Sequence, residues 1–434
     1  MIIVKDKNSI SKLETISLIV IILLLSVVCL GSILVIYKSI ELKELSYYIV
    51  SFLPFELILY IATKIYKPTF KKEEILIFIL FVLTTLSLIG SNNLETSIFG
   101  FYKRYEGLLM LYTYYSTALV ASTISKEMYK KIIIGFIIGI GFLNILYGLL
   151  QTGLISLNIN IMGAWKYSKG FLGNSMNYAT LLSICYFFIV GIFLYSNKKT
   201  DLNTILLLII FTIGNIISGS MALLLTTIFI LSLLMLKELL NIKYKKFSLN
   251  QFLKILLCLL LFVSFNRIFM HRYKDYRVDV NSFSKEVSNV TKSEKNKNSY
   301  GTGRIYIWKE VLKKSKDNLI FGVGVDNLYN SFDPELIDPA SNYSVDKAHN
   351  DYLQKLLCEG FLSFICYISL IILIIKKHIK DKNNINKILL IGFLAYAVDI
   401  FFSISVIRVA PLYWIILGLL IGVEEEIKKQ KEIR

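Results

Sequence analysis

Apolar runs broken by short polar or charged segments organise almost the whole chain. They fall near 15–37, 45–66, 74–90, 107–124, 131–151, 176–195, 202–218, 220–236, 251–269, 352–375, 386–406 and 410–423. A helical run of about 20 residues, rising roughly 1.5 Å per residue, crosses a hydrocarbon core of about 30 Å. Membrane strands would instead alternate apolar and polar positions in segments of about ten residues. The pattern therefore predicts an all-α, polytopic membrane helical bundle of about 12 transmembrane helices. The pair around "NIISGSMALLL" reads either as two spans or as one bent element. The first run, Thr15 to Tyr37, is too long for a signal-peptide core and lacks a small-residue cleavage site, so it reads as the first span.

The breaks carry the charge. With the N-terminus cytoplasmic, the inner breaks hold about 26 Lys and Arg and the short outer ones about 7. An excess of positive charge marks the cytoplasmic side, so both termini are expected on the cytoplasmic side of the cell membrane. Three regions follow: 1–269 with spans one to nine, a large extracytoplasmic loop at 270–351 between spans nine and ten, and 352–434 with spans ten to twelve and a cytoplasmic tail. The middle of the loop, "NSFSKEVSNVTKSEKNKNS", is too polar to form a packed core. After it, "GRIYIWKEVLKKS" puts Ile305, Trp308, Val311 and Leu312 at helical spacing, which predicts a short amphipathic helix.

Composition agrees with this picture and narrows it. Hydrophobic residues make up 55% of the chain and the mean hydropathy is +0.61, outside the range of soluble domains. The net charge of +17 does not gather on a soluble face, so no nucleic-acid partner is expected; membrane lipids are. Cys29, Cys185, Cys258, Cys358 and Cys366 lie mostly inside apolar runs without paired spacing, which suggests neither disulfides nor a zinc site.

Several charges stand where that layout does not ask for them. Arg104 and Glu106 sit in "FYKRYEG" at an outer span end, Arg304 opens the amphipathic segment, and Arg408 interrupts "SISVIRVAPLYW". Ionisable groups near spans line aqueous cavities or snorkel to the interface. Three arginines on one side offer planar forks suited to phosphate oxygens. His349 introduces the tenth span. With Asp346 as N-cap, His349, Leu353 and Leu356 would share one helical face. A histidine there is either a satisfied interfacial residue or a proton acceptor near neutral pH. His271, in "MHRYKDYR", and His378, in "KKHIK", lie away from these charges.

The order of these pieces resembles the O-antigen ligase and polymerase superfamily of membrane glycosyltransferases. The similarity lies in "GTGRIYIWKEVLKKSKDNLIFGVGVDNL" followed by "AHNDYLQKLLCEGFLSF", with "RYEGLL" and "GFLGNSMNYAT" upstream. Gly322 and Gly324 form no dinucleotide fingerprint, because no third glycine follows; they suit a backbone turn. The resemblance implies transfer of a glycan from a polyprenyl-diphosphate-linked donor to a glycan, lipid or protein hydroxyl acceptor at the outer membrane face, as in surface polysaccharide or capsule assembly, with no cofactor and no metal. It implies catalytic roles for His349 and Arg304, and diphosphate binding by Arg104, Arg304 and Arg408. Asn174, Asn177, Asn327 and Asn350 would position substrate. Whether His349 removes the acceptor proton or donates a hydrogen bond stays open. Ligase, polymerase and protein O-glycosyltransferase share the motif. A flippase for lipid-linked sugars is the competing class, but it has no need of the large loop and should show an internal repeat.

Overall fold

The computed structural model describes residues 7–153, 167–195, 202–243, 246–272, 303–338 and 342–422. The polar middle of the long loop lies outside them. The helices run α1 (Lys7–Ile36), α2 (Leu42–Val50), α3 (Phe52–Tyr66), α4 (Lys72–Leu86), α5 (Leu94–Phe99), α6 (Leu108–Ala121), α7 (Glu127–Gln151) and α8 (Ser175–Tyr195). They continue with α9 (Leu202–Ile217), α10 (Met221–Lys243), α11 (Leu249–Arg272), α12 (Arg304–Asp317), α13 (Leu328–Ser331), α14 (Asp351–His378), α15 (Asn384–Asp399) and α16 (Ala410–Ile421). Apart from one isolated bridge, Ile337 to Ser344, the described residues form no extended pairing. The chain is a polytopic helical bundle.

All twelve apolar runs are helical, but they are not alike. Among the described residues, eight helical stretches are long and apolar enough to cross a membrane, α2 and α3 counting together. The other four, α6, α9, α15 and α16, have only 14, 16, 16 and 12 residues. At about 1.5 Å per residue the shortest reaches roughly 18 Å, less than a hydrocarbon core. Neighbouring helices bury most of α6, α15 and α16, and shielding of this kind is what lets short or irregular backbone exist at that depth. Every residue of α16 is buried, and a Cβ on its Gly418 would lie 2.2 Å from the Ala118 carbonyl of α6. A glycine allows that approach, and its absence would push the two helices apart.

One sequence expectation changes and one open alternative is resolved. The run 386–406 is not one helix: α15 stops at Asp399, where Ser403 Oγ bonds back to both the Asp399 carbonyl and its carboxylate, each at 3.0 Å. The "NIISGSMALLL" pair is two helices, split at Gly219 with φ of +63°.

Hydrogen bonds and ion pairs gather alternate junctions at one end. Glu14 accepts from the Ser125 and Lys126 peptides at the α7 start, Asn383 bonds Glu127, Lys71 reaches the Ile421 carbonyl, and Lys377 pairs with Glu73. His378 belongs here too, bonded to Asp381 and to the Leu420 carbonyl. The α1–α2 linker, the 87–107 stretch, residues 303–350 and residues 400–409 occupy the opposite end. That second end holds the candidate site.

Candidate functional site

The loop end is built on α12 and on the start of α14. Helix α12 buries Ile307, Val311 and Ser315, while Leu312 stays 43% exposed. The buried face is thus rotated from the one the spacing suggested; Trp308 packs at its edge and donates from Nε1 to the Ala348 carbonyl at 3.0 Å. Next to it, residues 319–323 lie along α14 main chain to main chain. Val323 N donates to Leu357 O at 3.0 Å and Phe361 N to Leu319 O at 2.8 Å. Gly322 and Gly360, at φ of +71° and +83°, make this contact possible; a Cβ on either would lie 2.5 or 2.3 Å from opposing backbone. Helix α14 is kinked at Gly360.

Helix α14 begins later than the sequence suggested. Its N-cap is Asn350, not Asp346: the Asn350 side chain accepts from Leu353 N at 3.1 Å. His349 therefore precedes the helix and does not share a face with Leu353 and Leu356. Its φ is +51°, in the left-handed region that few side chains adopt. The residues around it are each tied down. Ala348 N donates to Gln354 Oε1 at 2.9 Å. Lys347, 3% exposed, pairs with Glu106 at 3.1 Å and Asp326 at 2.9 Å. Burial opposes the Lys347 charge, but these two carboxylates outweigh it and lift its pKa. Glu106 also accepts from Tyr114 and Ser405 at 3.1 and 3.0 Å, and Asp326 from the Phe101 peptide at 2.7 Å.

Arg104 uses Nε and Nη2 to grip Asp346 at 2.8 and 3.0 Å. Burial would raise the Asp346 pKa, but those hydrogen bonds and the Arg104 charge hold it below the ordinary carboxylate value. Arg408 donates to the Leu172 carbonyl at 2.5 Å, and burial brings its pKa down to about 10. Arg304 stands over the first turn of α8, 4.0 Å from Met176 Sδ. Burial also lowers the Arg304 pKa, with Asp399 and Asp338 opposing. Among the described residues neither Arg304 nor Arg408 is in an ion pair with a carboxylate. Half-buried cations outside close ion pairs favour an anionic ligand.

A cavity of about 310 Å³ joins several of these positions. Arg104, Arg408, Asn174 and Asn177 line it, with Ile36 and Leu42 on its apolar side. Asn174 also caps α8, accepting from Met176 N at 2.7 Å, so the positive end of that helix faces the cavity. His349 lies within electrostatic reach of Arg304, Asp346, Arg104 and Asp338. Burial first, and then the Arg304 charge, bring its pKa down to about 4.

Asn327 is fully buried and its amide donates to Asn93 O at 2.9 Å and Ser97 Oγ at 2.5 Å. Asn327 and Asn350 are thus engaged in the fold, whereas Asn174 and Asn177 face the cavity. A second cavity, about 60 Å³, lies against Glu106 and Asp351, but its lysines, Lys347 and Lys355, are already in ion pairs. Among the described residues no three His, Cys, Asp or Glu side chains are grouped to hold a metal ion.

Residues 205–368 match the O-antigen ligase family model. That match bears out the resemblance to the superfamily. The matched segment contains Arg304 and His349, while Arg104, Asn174, Asn177 and Arg408 come from outside it, Arg104 reaching into it through Asp346. A search of curated proteins finds no match to the chain.

Sequence reasoning missed Asp346 as a partner of Arg104, the Lys347–Glu106–Asp326 set, and Asp399. Asp399 is fully buried; its Oδ2 accepts from Thr180 at 2.5 Å, and its Oδ1 has no partner among the described residues. A lone carboxylate in "AYAVDIFF" was the available signal, since charge inside an apolar run is costly without a use.

Proposed function

We propose that this membrane protein transfers a glycan from a polyprenyl-diphosphate carrier to an acceptor hydroxyl, with the loop end facing outward. The observation that carries the reading is the cavity lined by Arg104, Arg408, Asn174 and Asn177, with Arg304 over the first turn of α8 and His349 within electrostatic reach of Arg104 and Arg304. Its apolar wall suits the lipid end of the donor and its arginines suit the diphosphate. The acceptor oxygen attacks C1 of the donor sugar while the C1–O bond to phosphate breaks, and the electron pair leaves with the diphosphate. Fixed cations placed where that charge develops lower the barrier, and one such donor is typically worth about 10²–10³ in rate. His349 takes the acceptor proton, a role typically worth about 10²–10⁴.

The test uses His349→Ala and Arg304→Ala. Each should lower transfer by at least roughly 10²-fold while the protein still inserts in membranes. Wild-type product from both variants, or purified protein that moves lipid-linked sugar across vesicles without forming a glycosidic bond, would overturn the reading. The length of the surface polysaccharide in a deletion strain separates polymerase, which loses long chains, from ligase, which loses attachment.

A further inference from the structure

Within residues 346–350 nearly every polar group is committed. Asp346 is held by Arg104, Lys347 by two carboxylates, and the Ala348 peptide by Trp308 and Gln354, while Asn350 caps α14. His349 is the exception: its Nδ1 is buried and has no hydrogen-bond partner among the described residues. Buried polar atoms without partners are uncommon, and one beside a charged cavity calls for a reason.

Arg104 is an exception of another kind. Its guanidinium fork is already filled by a carboxylate, whereas Arg304 and Arg408 are not in ion pairs with one. A diphosphate presents the same paired oxygens with more charge, so it competes with Asp346 for that fork. The displaced carboxylate would be three residues from His349, on which it already acts electrostatically.

Resting on the function proposed above, we infer that Asp346 is a positioning residue for His349. The donor diphosphate takes Arg104 from Asp346, and the freed carboxylate accepts the Nδ1–H of His349, leaving Nε2 to take the acceptor proton. The base is then assembled only on a donor-loaded site, so an acceptor that arrives first meets no oriented base.

The charged groups facing His349 are Arg304 from α12, Arg104 from the loop after α5, Asp346 from its own loop, and Asp338 from the bridged segment. In the unloaded site, burial and Arg304 keep the imidazole neutral down to about pH 4. Loading neutralises both arginines and turns Asp346 toward the ring, and both changes favour the protonated form. The acid limb of kcat/KM reports the unloaded site and that of kcat the loaded one.

The experiment uses the full-length protein in nanodiscs, with polyprenyl-diphosphate-linked oligosaccharide isolated from the source cells. In the wild type the acid limb of kcat should stand roughly one pH unit or more above that of kcat/KM. Asp346→Asn should lower kcat by roughly 10²-fold and move its acid limb downward without raising the donor KM, and Asp346→Glu should recover part of the loss. Arg104→Gln should raise the donor KM and bring the two limbs together. Coincident limbs in the wild type, or an Asp346→Asn variant whose donor KM rises while its acid limb stays put, overturn the inference. Loss of transfer in His349→Ala beside either result leaves the glycosyltransferase reading standing; full transfer in His349→Ala removes that reading and the inference with it.

Discussion

Lys347 stands between Glu106 and Asp326 with almost no exposure, two residues before His349. Removing one partner of a buried ionic set leaves uncompensated charge and costs about 3–5 kcal/mol. Lys347→Met should therefore melt well below the wild type in detergent, and adding Glu106→Gln and Asp326→Asn should recover part of the loss. Unchanged melting of the single variant would count against this role. Asn350→Ala should lose about 1 kcal/mol through the missing cap, read by the same melting curve. At this scale the arginines stood out in the sequence as charges at span ends, and Asn174 and Asn177 entered through the resemblance; Arg104, Arg408, Asn174 and Asn177 line one cavity. The sequence hid the pairing of Asp346 with Arg104 and of Lys347 with Glu106, which lie 242 and 241 positions apart. Local spacing carries no information about such pairs.

Elements were legible where apolar periodicity decides them and obscure where single residues do. The twelve helical runs came from length and hydropathy. The true start of α14 came from the Asn350 cap, and the end of α15 from Ser403 bonding back to Asp399. Two glycine substitutions test how far backbone contact governs these elements. Gly360→Ala meets a strained φ and the Ile320 carbonyl at 2.3 Å, so it should destabilise by more than about 1 kcal/mol. Gly135→Ala in α7 meets nothing within 4 Å and should be neutral or stabilise by up to about 1 kcal/mol. Thermal unfolding of the two variants in one detergent decides the comparison; equal melting points would contradict it.

For the whole molecule, the alternation of charged breaks agrees with the junctions gathered at each end, and it predicts which end faces outward. A membrane-impermeant thiol reagent on intact cells should label Lys316→Cys, and should label Lys380→Cys only after permeabilisation; both positions are exposed. The reverse pattern would invert the orientation. The main-chain contact between residues 319–323 and 357–361 also sets a rule for exchanging parts between related proteins. The loop and the first turns of α14 are a single exchangeable block, with Gly322 and Gly360 as matched halves of its fastening. A chimera that swaps the loop and crosses over at Asp351 separates those halves and should fail to seat the new loop. One that crosses beyond Phe361 carries both, and should deliver His349 to the cavity intact.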